Sequence, residues 1–99
     1  MPAGINVLDY ATLAVDGAVT LVDDASPTLP GQCKRVYITS ETDAVRWRAD
    51  GTAPSASEGH VLAVNDSISF TGANYRQLLE NITFIKVTNA AALKITYFD

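Results

Sequence analysis

Apolar and polar residues alternate along most of this chain, and a period of two is the mark of strands with one buried face. Lys34 to Ser40 shows it cleanly, with Val36 and Ile38 on one side and Arg35, Tyr37 and Thr39 on the other. Val45 to Ala49 repeats it: Val45 and Trp47 share a face, and Arg46 and Arg48 take the opposite one. Thr12 to Val15, Ala18 to Val22, His60 to Val64, Ser67 to Thr71, Thr83 to Thr88 and Leu93 to Phe98 complete a set of about eight short strands. Turn signals separate them. Asp16-Gly17 reads as a two-residue type I′ hairpin, and Ser26-Pro27 with Leu29-Pro30-Gly31 breaks the chain into a loop. Glu41-Thr42-Asp43, Asn65-Asp66 and Asn89-Ala90-Ala91 read as turns, and Gly72-Ala73-Asn74 as a break. Tyr75 to Glu80 is the one helix-like run, too short and too poorly capped to predict more than an irregular crossing or a single turn.

Short strands at this spacing predict an all-β fold, an antiparallel β-sandwich. Eight strands joined by long crossovers suit a jelly-roll, whose two-sheet form limits exposed edges. Residues 1–10 are weakly patterned and read as an N-terminal arm, leaving residues 11–99 as a single sandwich domain. The alternation places Val36, Ile38, Val45, Trp47, Ile85, Val87 and Ile95 in one shared core. On that reading Trp47→Ala is expected to cost about 3–5 kcal/mol.

Composition narrows the class. Hydrophobic residues make up 47% of the 99, which excludes a disordered chain, while charged residues reach only 18%. That low charge fits either a small domain with many Thr and Ser on its surface or a surface partly covered by copies of itself or by a partner. The net charge of −4 offers no attractive field to nucleic acid or to an anionic membrane. No apolar run approaches the roughly 18–20 residues that span a bilayer. The start, Met1-Pro2-Ala3-Gly4, has neither the basic nor the apolar region of a signal peptide. A single cysteine, Cys33, fits synthesis in a reducing cytoplasm.

Candidate chemistry is sparse. A thiol–imidazole pair would need Cys33 and His60, the only residues of their kinds, and no third residue can be named to orient them. Cys33 reads instead as a small buried side chain and His60 as a polar residue at a strand edge. One His and one Cys fall short of the four ligands of a structural zinc site. Asp16, Asp23 and Asp24, or Asp43 and Asp50, lack the spacing of a calcium loop and serve turn geometry. No cofactor is expected. Trp47 reads as a core or subunit-interface residue, or as a stacking platform for a sugar alongside Tyr75 or Tyr97. Arg46 and Arg48 are then expected to project outward, where they could pair with Asp or Glu on a neighbour.

The segment Val45-Arg46-Trp47-Arg48-Ala49-Asp50-Gly51-Thr52-Ala53-Pro54-Ser55-Ala56-Ser57-Glu58-Gly59 resembles a pattern found in small structural proteins of tailed bacteriophages. The likeness continues through His60 to Gly72, closes on Lys94 to Phe98, and covers roughly the C-terminal two thirds of the chain. It implies a non-enzymatic virion component, made in the host bacterial cytoplasm, that decorates or cements the outer surface of the head. The implied partners are the major capsid protein and the protein itself as a homo-oligomer, by analogy a trimer. Arg46, Arg48, Asp50 and Thr52 are the interface candidates. The alternative is a carbohydrate-binding β-sandwich on a phage tail or fibre.

Overall fold

In the computed structural model, which describes residues 6–99, the alternating segments form eight strands and one short helix. They are β1 (Val7–Val15), β2 (Val19–Thr20), β3 (Arg35–Glu41), β4 (Val45–Arg48), β5 (His60–Leu62), β6 (Ser67–Phe70), α1 (Arg76–Asn81), β7 (Thr83–Lys86) and β8 (Ala91–Phe98). Two antiparallel four-stranded sheets result, ordered β1-β8-β3-β6 and β2-β7-β4-β5. The protein is thus an all-β antiparallel sandwich. The pairing is nested: β4 pairs with β5, β3 with β6, β2 with β7 and β1 with β8. The chain therefore behaves as one long hairpin, doubled on itself and folded into two layers.

Burial follows the alternation. Ala11, Leu13 and Val15 of β1, Val36 and Ile38 of β3, and Leu93, Ile95 and Tyr97 of β8 turn inward from the first sheet. Val45, Leu62 and Phe84 meet them from the second, and Leu21, Ala25, Cys33, Leu79 and Ile82 fill the flanks. Each large side chain so enclosed stabilises the fold by about 1.5–3 kcal/mol. Ser40 is the one buried polar side chain among the described residues, and its hydroxyl donates to the Asp43 carbonyl at 2.8 Å. Helix α1 is tied to the 30–33 turn by Arg76, whose guanidinium donates to the carbonyls of Pro30 and Cys33.

Four of the seven expected core residues, Val36, Ile38, Val45 and Ile95, are fully buried. Trp47 is half-buried against that core. Ile85 and Val87 are corrections: both lie outside the core, half-exposed. The run from Ile82 to Val87 carries apolar residues on both parities, and the fold turns Ile82 and Phe84 inward. A shift of one residue exchanges the faces of a strand, so Ile85 stands beside Arg46 on the outer surface.

The Asp16-Gly17 hairpin is also corrected. Strands β1 and β2 enter different sheets, and the link between them is a crossing. A type I′ turn needs positive φ at both central residues, and neither Asp16 nor Gly17 has it. Asp16 instead accepts a hydrogen bond from Lys86 at 2.5 Å. Of the expected arm, Val7 to Tyr10 are strand, paired with Thr96, Tyr97 and Phe98 of β8. Residues 1–5 lie outside the described residues.

Candidate functional site

Strands β4 and β5 are the innermost pair of the nest, and the loop joining them, residues 49–59, is its apex. Arg46 holds this loop. From the outer face of β4 its Nε donates to the Ala56 carbonyl at 3.1 Å and its Nη1 to the Gly59 carbonyl at 2.8 Å. Inside the loop, Ser55 and Glu58 exchange backbone hydrogen bonds of 2.9 and 3.3 Å, and Pro54 is buried. The close fit requires glycine at position 59. Its φ of +131° suits no L side chain, and a Cβ there would meet the Pro54 Cβ at 3.0 Å and the Trp47 carbonyl at 3.1 Å.

The second arginine closes a smaller ring. Arg48 donates to both oxygens of Asp50, Nε to Oδ1 at 3.1 Å and Nη2 to Oδ2 at 2.5 Å. The Thr52 amide adds a long contact to Oδ1 at 3.4 Å. This hydrogen bonding from Arg48 holds the Asp50 carboxyl below the usual carboxylate range and raises the guanidinium in turn. All four interface candidates therefore belong to one structural unit. Its arginines bind groups of their own chain. A short loop supplies two hydrogen bonds to each of them locally, at little cost in chain entropy.

Beside this loop runs a chain of four rings. Trp47 lies opposite His60 in the β4–β5 register, and their ring centroids are 4.7 Å apart with the planes tilted by 37°. Phe70, from the other sheet, meets Trp47 edge-on at 5.6 Å and Tyr75 at 5.4 Å. Together these rings close one end of the sandwich. Where the chain emerges, Trp47, Arg48, Asp50, Glu58, Gly59 and His60 line an open cleft of about 590 Å³. Its floor is aromatic. Its walls carry one guanidinium, already paired, and two carboxylates, of which Glu58 has no hydrogen-bond partner among the described residues.

Of the three aromatic residues considered for sugar stacking, the cleft takes only Trp47. Tyr97 is fully buried, its hydroxyl donating to the Pro27 carbonyl at 2.8 Å, and Tyr75 is half-buried against Phe70. Cys33 and His60 are not brought together. Cys33 is buried, burial raises its thiol pKa, and its Sγ donates to the Arg35 carbonyl, while His60 is exposed at the cleft. Among the described residues, no three His, Cys, Asp or Glu side chains stand close enough to share a metal ion.

Sequence reasoning missed the roles of His60, Glu58 and Phe70 here. Pairing β4 with β5 around the loop would have set His60 beside Trp47, but nothing along the chain connects Phe70 with them. Compared with known proteins, the chain matches no family model, no curated protein and no solved structure.

Proposed function

We propose that this protein is a capsid cement or decoration protein of a tailed bacteriophage. It is a non-enzymatic virion component that binds the outer head surface as a homo-oligomer, beside the major capsid protein, and stabilises the shell. The nested strand pairing is read here as a jelly-roll, an architecture shared by capsid and lectin domains. Fold alone does not assign a task, and the weight rests on the apex loop. The segment that carries the resemblance folds as a single clamped unit, with Arg46 and Arg48 bound to it internally. A loop already fixed in place loses little conformational freedom when it docks. Identical contacts repeated over a shell then add through multivalency, so each one can be small.

The reading is tested by cryo-electron imaging of purified virions of the parent phage. Regular density over the head, matching a domain of 46 × 25 × 21 Å, is the expected result. Density on the tail or fibres would favour the carbohydrate-binding alternative, and absence from the virion would overturn both.

A further inference from the structure

We infer that the cleft beside the Trp47–His60 ring pair receives a basic side chain, arginine in preference to lysine, from the protein surface on which this domain docks. The inference rests on the docking reading above and names the chemistry of the contact. Three observations carry it. The first is an aromatic step: the half-buried indole of Trp47 continues into the exposed imidazole of His60 at 4.7 Å, a surface on which a planar cation stacks. The second is charge. Arg48 is hydrogen-bonded twice to Asp50 and also feels the Glu58 carboxylate, so the lining sets two carboxylates against one guanidinium and keeps one negative charge in excess. A guanidinium stacked on the step can donate two parallel hydrogen bonds to a carboxylate beside it, a geometry that ammonium lacks. The third is rigidity. Glu58 is held through its own backbone bonds to Ser55, and the adjoining Gly59 by Arg46, so the backbone that carries the carboxylate is fixed. The chain's net charge of −4 favours the approach of a cation in the same sense.

The test titrates the purified full chain with N-acetyl-argininamide, following the Trp47 indole and His60 ring signals by NMR. The neutral isostere N-acetyl-citrullinamide and the sugar N-acetylglucosamine are run in parallel. The expected result is a saturable shift of both rings, with an affinity on the order of millimolar. Binding should be about fivefold or more weaker for the citrulline probe and for Glu58→Gln, whose backbone bonds to Ser55 are unaltered. Affinity of the unaltered protein should also fall as salt is raised, a readout that needs no variant. An equal response to the citrulline probe, a response to the sugar alone, or no saturable response would each overturn the inference. Protein found on heads with a silent titration would overturn this inference alone. Absence from virions would overturn the docking reading and leave the titration legible.

Discussion

Phe84 and Ile85 are adjacent, similar in hydrophobicity and opposite in fate. Phe84 is fully enclosed, while Ile85 lies beside the stem of Arg46 on the outer surface. Phe84→Ala should therefore cost about 3–5 kcal/mol, and Ile85→Ala less than about 1.5 kcal/mol. Trp47→Ala belongs between them, at about 2–3 kcal/mol, because its ring is only half-buried. Urea denaturation of the three variants checks the order, and a larger loss at Ile85 than at Phe84 would reverse the assigned facing of β7. The difficulty of this strand in sequence is physical. Where apolar residues occupy both parities, alternation fixes the strand but not its face. At β3 the aliphatic residues Val36 and Ile38 share one parity, and the other carries Arg35, Tyr37 and Thr39, so the buried face was legible.

At the scale of elements, the apex loop depends on a clamp that lies outside it. Arg46 belongs to β4, yet its two hydrogen bonds end on Ala56 and Gly59. Arg46→Ala should leave the sheets intact and release the loop. The expected signature is faster amide exchange at Ser55 and Glu58, whose mutual bonds the clamp supports, with exchange in β3 and β8 unchanged. Uniform acceleration across both sheets would show that Arg46 supports the whole sandwich instead.

The site was legible to the extent that it is contiguous: Arg46, Arg48, Asp50 and Thr52 fall within one strand and its turn. That the arginines close on their own loop was not legible, since a side chain's partner depends on how the loop turns back. The crossing at Asp16-Gly17 was misread for a related reason. Local turn chemistry says that the chain bends there, while the choice of partner strand is made by the whole fold.

Over the whole molecule, three of the carboxylates of the described residues that tie segments distant in sequence or brace the apex are held by hydrogen bonds that lower their pKa. Asp43 accepts from Asn89, Asp50 from Arg48, and Asp99 from the backbone and side chain of Asn6. Hydrogen bonding holds all three below the ordinary carboxylate range: from Asn89 at Asp43, from Arg48 at Asp50 and from the Asn6 backbone at Asp99. A lowered folded-state pKa means that the unfolded chain takes up protons first as the solution is acidified. The stabilisation is fully present above about pH 4 and is lost as the pH falls through the folded-state values. The urea midpoint should accordingly decline below about pH 4. A midpoint that rose on acidification would contradict the assignment.

The nested pairing also sets an order in time. Val45 meets Leu62 across the apex loop, Ile38 meets Ile68 farther out, Val19 waits for Phe84, and Ala11 waits for Ile95. Each closure spans more chain than the one before, and the earlier pairing shortens the free loop that the next must close. The chain can zip outward from its apex, but β8 is the central strand that joins β1 to β3. Until β8 has been synthesised, the first sheet has no middle, and the apolar side chains of β1 and β3 stay uncovered. Every copy therefore completes its first sheet only once β8 is in place between β1 and β3.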